Sequence, residues 1–89
     1  MTYRAELGRS ARSYMRRASP EMQRRVYVRL REIEADPYEA RLGELLHGRD
    51  DGLRRSRVGD VRILYYVDDV VEVVDVTDIG PRGDVYKGR

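Results

Sequence analysis

Four arginines lie within one nine-residue stretch of the chain: Arg54, Arg55, Arg57 and Arg62. Guanidinium groups bind phosphate through a planar fork of donors, and they stabilise the negative charge that develops on phosphorus during phosphoryl transfer. Like charges on neighbouring strands repel each other, so the cluster needs either an anionic ligand or compensating carboxylates. Surface ion pairs of the second kind are worth ~0–1 kcal/mol each. The candidate carboxylates are Asp60, Glu72, Asp75 and Asp78. The cluster alone is compatible with both interpretations.

Tyr86 is a second candidate for chemistry because it lies in a basic C-terminal stretch, four residues after Arg82 and directly before Lys87. A cationic environment favours the phenolate and lowers the pKa of a tyrosine. Such a tyrosine is a plausible proton acceptor in RNA cleavage. The alternative is a tyrosine that covers the edge of the core or stacks on a partner.

Most other site chemistries have no support in the sequence. Cysteine is absent, which excludes disulfides, thiolate catalysis and cysteine-ligated zinc. His47 is the one histidine and cannot build a histidine-rich metal centre, and the Asp68-Asp69 pair favours a turn over a metal site. The glycines at positions 80 and 83 are too close together for a phosphate-binding glycine loop. We therefore expect neither a metal nor a cofactor.

The length of 89 residues predicts a single domain, residues 1–89. Apolar residues make up 40% of the chain and charged residues 38%, which is typical of a folded domain with a thin core. No apolar run approaches the ~18–20 residues of a membrane span, and the N-terminal residues lack the apolar stretch of a signal peptide. The sequence thus predicts a cytoplasmic protein that does not bind membranes.

Charge is strongly segregated along the chain, although the net charge is only +2. Residues 1–31 hold nine arginines and two acids, whereas residues 63–80 hold five acids and no base. Such blocks are commonly solvated faces, so their meaning depends on where the fold places them.

The first half of the chain predicts one strand and two helices. Residues 2–7 alternate polar and apolar, which is the period of a half-buried strand, and residues 9–17 have apolar positions at helical spacing. Ser19-Pro20-Glu21 is a helix start, with Ser19 as the N-cap and Pro20 at the first helical position. Asp36-Pro37 ends this second helix, because a residue before proline avoids the helical region.

The second half predicts an irregular bridge over 38–52, then three strands at 53–58, 61–67 and 70–76, and a loop at 79–84. The fold class is therefore α+β: an N-terminal strand, a two-helix hairpin, and a three-stranded antiparallel meander in one small sheet with helices on one face. Alternation along the strands places Arg55, Arg57 and Arg62 together on the opposite face.

Five features of the sequence belong together: the early helix with alanine and arginine, the Asp36-Pro37 end of the second helix, Leu45-Leu46-His47-Gly48, the run from Leu53 to Tyr65 with its Arg-Val-Gly-Asp-x-Arg-Ile-x-Tyr string, and Ile79-Gly80-Pro81-Arg82-Gly83-Asp84-Val85-Tyr86. In these features the chain resembles the RelE/ParE superfamily of bacterial type II toxins over nearly its whole length. The resemblance implies the same order of strand, two helices and meander.

By resemblance to the RelE-like branch, we expect a ribosome-dependent, metal-independent mRNA endoribonuclease that leaves a 2′,3′-cyclic phosphate. Arg62, Arg82 and Tyr86 match catalytic positions, and Arg55 and Arg57 match positions that bind RNA phosphate. The implied partners are a cognate antitoxin, the ribosome and mRNA. A ParE-like inhibitor of DNA gyrase without nuclease activity is the alternative. A third possibility is a degenerate toxin retained only to form a repressor complex with its antitoxin.

Overall fold

The computed structural model of the protein describes residues 2–46 and 52–81. Its elements are β1 (Arg4–Leu7), α1 (Arg9–Arg17), α2 (Pro20–Ala35), β2 (Glu44–Leu45), β3 (Arg54–Val58), β4 (Val61–Asp68) and β5 (Val73–Pro81). Two helices pack on one face of a five-stranded sheet, which confirms the predicted α+β class.

Both helices form where the sequence predicts them. The Ser19 side chain accepts a hydrogen bond from the Met22 amide at 3.1 Å, and Pro20 occupies the first turn of α2. The apolar stripe of α2 is buried in the core through Val26, Leu30 and Ile33. The N-cap and this stripe therefore fix both the start of α2 and the side that it turns toward the sheet.

The strand order in the sheet is β1-β5-β4-β3-β2. The β1 strand pairs with β5 in parallel, while the other pairs are antiparallel, so the sheet is mixed. The core side chains on the helix-covered face are Val58, Val61, Ile63, Tyr65, Val74, Val76 and Ile79. Neither described helix packs on the other face, which we call the helix-free face. The residues of β3 and β4 that alternate with the core residues point to it.

The predicted third strand of the meander at 70–76 is wrong in its boundaries, because residues 69–72 form a turn. The Asp68 Oδ1 accepts hydrogen bonds from the amides of Val70 and Val71, at 2.9 and 3.3 Å, and Glu72 has a φ of 57°. The Val70 side chain is 92% exposed despite its apolar character. The hydrogen bonds from the two valine amides to Asp68 thus stabilise a turn despite the β propensity of these valines.

Two further details differ from the sequence prediction. Residues 79–81, predicted as part of a loop, complete β5 and pair with β4. The predicted irregular bridge contains the short strand β2, which pairs with the first two residues of β3. Both differences lengthen the sheet around the segment that carries the clustered arginines.

Gly43 is buried next to the fully buried Tyr65. A Cβ at this position would overlap the Tyr65 hydroxyl oxygen and would lie 3.0 Å from the Arg55 carbonyl oxygen. We expect Gly43→Ala to lower the free energy of unfolding by roughly 1–3 kcal/mol, the usual cost of overpacking a core. Urea unfolding followed by circular dichroism measures this loss.

A second variant tests whether the Tyr65 hydroxyl causes this loss. Burial raises the pKa of Tyr65, and its hydroxyl has no well-aligned hydrogen-bond partner in the described part of the chain. Tyr65→Phe should therefore be close to neutral, and the Gly43→Ala/Tyr65→Phe double variant should recover part of the loss. A double variant no more stable than Gly43→Ala would contradict this packing.

Asp69, in the β4–β5 turn, ties together three distant parts of the chain. It accepts hydrogen bonds from the Tyr3 hydroxyl at 2.7 Å and from the Tyr38 hydroxyl at 2.8 and 2.9 Å. These donors hold the pKa of the Asp69 carboxyl below its usual range. The hydrogen bond between Tyr3 and Asp69 also raises the pKa of Tyr3 to about 12.

The pH dependence of this cluster follows from the signs of the shifts. The depressed pKa of Asp69 stabilises the fold above the carboxyl's unfolded pKa, and this stabilisation is lost as pH falls through the folded value. The raised pKa of Tyr3 stabilises the fold below the phenol's unfolded pKa, and this part is lost as pH rises toward about 12.

We expect the ¹³Cζ resonance of Tyr3 to remain that of a neutral phenol at a pH near 11. In Asp69→Asn it should titrate at a lower pH than in the wild type, closer to the ordinary tyrosine value of about 10. Asp75→Asn removes an exposed carboxylate of β5 that makes no hydrogen bond to Tyr3 and is the matched control. Identical Tyr3 titrations in both variants would contradict the assignment.

Candidate functional site

The register of β3 and β4 brings three of the clustered arginines onto the helix-free face. Arg57 lies directly opposite Arg62, and Arg55 lies opposite Leu64. Their alternating neighbours, including Ser56 and Ile63, lie on the helix-covered face. The predicted alignment of Arg55, Arg57 and Arg62, pointing away from the helices, is confirmed.

Arg62 is buried to an unusual degree for an arginine, with only 9% of its surface exposed. Its Nε has no hydrogen-bond partner among residues 2–46 and 52–81, and its partner position on β5 is Gly80, which offers no side chain. A buried guanidinium without a bonded partner is costly unless an anion compensates it. Arg62 therefore has the donor capacity and the setting of an anion-binding residue.

Arg57 is the neighbour of Arg62 in this arrangement, and its side chain is exposed. Within the part of the chain that the structure describes, neither Arg57 nor Arg62 belongs to an ion pair. The two residues, called here the Arg57–Arg62 pair, concentrate positive charge at one point of the helix-free face. A phosphate group that contacts both would relieve their mutual repulsion.

Arg55 differs from this pair because a carboxylate compensates its charge. Its Nε donates to Glu44 Oε2 at 3.1 Å, and its Nη2 makes a second, shorter bond to the same oxygen. The ion-pair interpretation is thus correct for Arg55, although with a partner that the sequence prediction did not name. None of the ion pairs between described residues joins Asp60, Glu72, Asp75 or Asp78 to the cluster.

Arg54 does not belong to the helix-free face. It lies opposite Tyr65 in the register, and its Cζ is 5.4 Å from the centroid of the Tyr38 ring. This is the distance of a cation–π contact, and Arg54 therefore packs at the helix side of β3. Three arginines rather than four remain at the candidate site.

An apolar cluster adjoins the arginines on the helix-free face, and the sequence interpretation did not identify it. Leu53 and Leu64 are buried there, with Leu46 and Tyr66 packed against them. The signal was present in the alternation of β4, because residues 62, 64 and 66 share one side of that strand. The helix-free face thus combines guanidinium donors with an apolar surface that carries an aromatic ring.

The remaining predicted site residues, Arg82 and Tyr86, lie outside the described residues, so their roles stay predictions. Among residues 2–46 and 52–81, no group of three histidine, aspartate or glutamate side chains is arranged to hold a metal ion. No helix in these ranges is both long enough and apolar enough to cross a membrane.

Comparison with known proteins identifies the family to which the chain belongs. A family model described as "ParE toxin of type II toxin-antitoxin system, parDE" matches residues 3–86. A search of curated proteins finds no match. Several solved structures share the fold, and they include toxins in complex with antitoxins.

The RelE–RelB complex of Pyrococcus horikoshii contains a chain that is 27% identical, with a TM-score of 0.78 over 93% of this chain and 98% of that one. The RelBE2 toxin–antitoxin complex of Mycobacterium tuberculosis gives 24% identity and a TM-score of 0.77, covering 92% and 100% of the two chains. The intact RelBE complex of Escherichia coli gives 20% identity and a TM-score of 0.77, covering 89% of this chain and 95% of that one.

The family match spans almost the whole chain, and the two helices and mixed sheet agree with the RelE folds. The chain belongs to the ParE toxin family of type II toxin–antitoxin systems, within the RelE/ParE superfamily that its sequence resembles.

Proposed function

We propose that this toxin is a ribosome-dependent, metal-independent mRNA endoribonuclease that leaves a 2′,3′-cyclic phosphate and so inhibits translation. The observation that carries the proposal is the Arg57–Arg62 pair. Arg57 and Arg62 are directly opposite residues of β3 and β4 on the helix-free face, Arg62 is 91% buried, and neither has a carboxylate partner in residues 2–46 and 52–81. A phosphodiester that becomes more negative during reaction is the ligand that such a pair stabilises best.

The reaction needs three contributions from the protein. The ribose 2′-oxygen forms a bond to phosphorus while the bond from phosphorus to the 5′-oxygen breaks, and charge accumulates on the phosphorane oxygens. The Arg57–Arg62 pair stabilises this charge, together with Arg82 in the role that the superfamily resemblance implies. Tyr86, by the same resemblance, takes the proton of the 2′-hydroxyl. The 5′-oxygen leaves as a hydroxyl after it gains a proton from a general acid that the sequence does not assign.

Arg55 contributes to binding in this scheme rather than to the chemical step. Its ion pair with Glu44 holds the guanidinium at the edge of the helix-free face. A charge already paired with a carboxylate stabilises a transition state less than an uncompensated one. The apolar cluster beside the arginines, with the Tyr66 ring, offers a surface on which a base of the message can stack.

A second function deserves a test because the matched family model describes ParE toxins. By the superfamily resemblance, ParE-like members inhibit DNA gyrase without nuclease activity. The fold alone does not separate the two activities, since both use the same scaffold.

The deciding experiment compares the two activities with one preparation of the purified protein. We expect it to cut ribosome-bound message at defined positions in the presence of EDTA, with 2′,3′-cyclic phosphate ends, and to leave gyrase supercoiling unchanged. Inhibition of supercoiling without message cleavage would replace the proposal with gyrase inhibition. Neither activity, in a folded protein, would favour the degenerate toxin of a repressor complex.

We also propose a cognate antitoxin as the stable partner, because the matched structures include RelB–RelE complexes and a toxin must be held inactive in its host. The product of an adjacent small open reading frame should copurify with the chain and abolish message cleavage at equimolar concentration. High-level expression of the chain alone without slower growth would count against a toxin.

A further inference from the structure

A groove lies between α2 and the β3–β4 turn, next to the Arg57–Arg62 pair. It encloses about 540 Å³, and its polar lining is mainly arginine. The polar residues that line it are Arg24, Arg25, Arg29, Arg57 and Glu32, with Gly59 at the turn. We call it the α2 groove.

The positive charge of the α2 groove is largely uncompensated. Its one carboxylate, Glu32, is bound by Arg29, with Nε and Oε1 separated by 3.1 Å. Arg24, Arg25 and Arg57 belong to no ion pair in the described ranges. Uncompensated arginines around one concave surface repel each other unless an anionic ligand binds there.

Arg29 builds the floor of the groove rather than serving as a free donor. Its Nη1 donates to the Ser56 hydroxyl at 2.8 Å and to the Arg57 carbonyl oxygen at 2.6 Å. These bonds fasten α2 to the outer edge of β3 and therefore fix the position of Arg57 relative to the helix. The groove is thus held in place by a bonded side chain and does not depend on the rotamers of surface arginines alone.

Gly59 contributes space at the other wall. It has a φ of 60°, which favours glycine, and a Cβ there would come within 3.2 Å of the Arg25 guanidinium. The absence of a side chain allows Arg25 to lie over the β3–β4 turn. The turn glycine therefore keeps a cationic group beside the groove.

Arg57 connects the α2 groove to the candidate active site, because it lines the groove and also lies opposite Arg62. We propose that the α2 groove binds the phosphate backbone of the RNA strand that enters the active site, on the side of Arg57 away from Arg62. This inference rests on the proposed nuclease function and names a second, non-catalytic contact of the same substrate.

The lining favours RNA over an acidic protein segment. Protein interfaces usually require a buried apolar or aromatic anchor, and the apolar side chains of the groove are Val28, which is 60% exposed, and Val58, which already belongs to the core. Backbone phosphates require guanidinium donors and no apolar pocket. The groove also continues to the Arg57–Arg62 pair, which likewise favours RNA as its ligand.

The test uses Arg24→Gln/Arg25→Gln and a control with the same change of charge, Arg16→Gln/Arg31→Gln. The control residues are exposed helix positions outside the α2 groove. Binding to ribosomes is measured over a series of salt concentrations with a message that carries 2′-O-methyl groups and cannot be cleaved. Cleavage of an unmodified message gives kcat and KM, and circular dichroism verifies folding.

We expect the groove variant to reduce the slope of log affinity against log salt concentration by roughly 1.4, or about 0.7 for each lost phosphate contact. The control should change this slope by less than half as much. The loss of activity should appear mainly in KM, because Arg24 and Arg25 contact RNA but not the reacting phosphate.

Each other result has a definite meaning. Equal slopes in the groove variant and the control would overturn the inference while the wild type still cleaves message. Unchanged ribosome binding with weaker capture of the copurifying antitoxin would assign the groove to the antitoxin instead. A wild type that neither binds nor cleaves would reject both the proposed function and this inference.

Discussion

Arg62→Ala should lower the single-turnover rate of message cleavage by roughly 10²–10³-fold, the usual cost of removing one preorganised donor to a developing anion. Arg62 is nine-tenths buried and lies opposite Arg57, so in the proposed reaction water would replace its interaction with the phosphorane poorly. Growth of cells that express the variant should be close to normal. Binding to uncleavable message should fall much less than the rate, because the interaction strengthens in the transition state.

The stability of Arg62→Ala distinguishes a site residue from a structural one. Because Nε lacks a partner among residues 2–46 and 52–81, removal of the side chain also removes a buried positive charge. The free energy of unfolding should stay unchanged or rise, as measured by urea denaturation. Arg31→Ala, at an exposed position of α2, is the matched control and should retain full activity.

Arg62→Lys separates charge from geometry. Lysine retains the positive charge but lacks the planar fork of donors, so its cleavage rate should lie between those of the wild type and Arg62→Ala. Full toxicity in Arg62→Ala would exclude the Arg57–Arg62 pair as the phosphate site. An unfolded Arg62→Ala together with a fully active Arg62→Lys would assign the residue a structural role.

The features of the fold that could be predicted from sequence are those set by neighbouring residues. Ser19-Pro20 and Asp36-Pro37 place the ends of α2 because capping and the geometry of proline act within a few residues. The alternation of β3 and β4 also places Arg57 and Arg62 on one face, since successive side chains of a strand point to opposite sides.

The features that could not be predicted depend on residues far apart in the chain. The parallel pairing of Arg4 with Val73 and the hydrogen bond from Tyr3 to Asp69 join distant segments, and neither segment's sequence indicates the other. The same limitation applies to Glu44, which reaches Arg55 only because β2 returns along β3. The sequence therefore did not indicate which carboxylate compensates Arg55.

The two valines of the β4–β5 turn illustrate a different limit. Val70 and Val71 have high β propensity and favour a strand, but the Asp68 side chain satisfies their amides within the turn. A local hydrogen bond thus outweighs intrinsic preference at these positions. The displaced strand carries Ile79 and Gly80 into β5, and this extension places Gly80 beside Arg62. The error in the predicted end of the third meander strand therefore affected the part of β5 that lies beside Arg62.

Tyr86→Phe should lower the rate of message cleavage by roughly 10²–10⁴-fold, the usual contribution of a positioned group that transfers a proton. Phenylalanine retains the ring but cannot accept the proton of the 2′-hydroxyl. The sequence neighbours Arg82 and Lys87 are cations, which favour the phenolate form that such a base requires. Ribosome binding should stay nearly unchanged, so the loss should appear in kcat rather than in KM.

Tyr27→Phe is the matched control, because it makes the same chemical change at an exposed tyrosine of α2 that is 54% accessible. Single-turnover cleavage on programmed ribosomes should separate the two variants by at least an order of magnitude, roughly the lower part of the range for proton transfer. If Tyr86→Phe cleaves within a factor of about three of the wild type, its hydroxyl does not transfer the proton. The ring would then act through packing or stacking, and the Arg57–Arg62 pair would have to work with a different base.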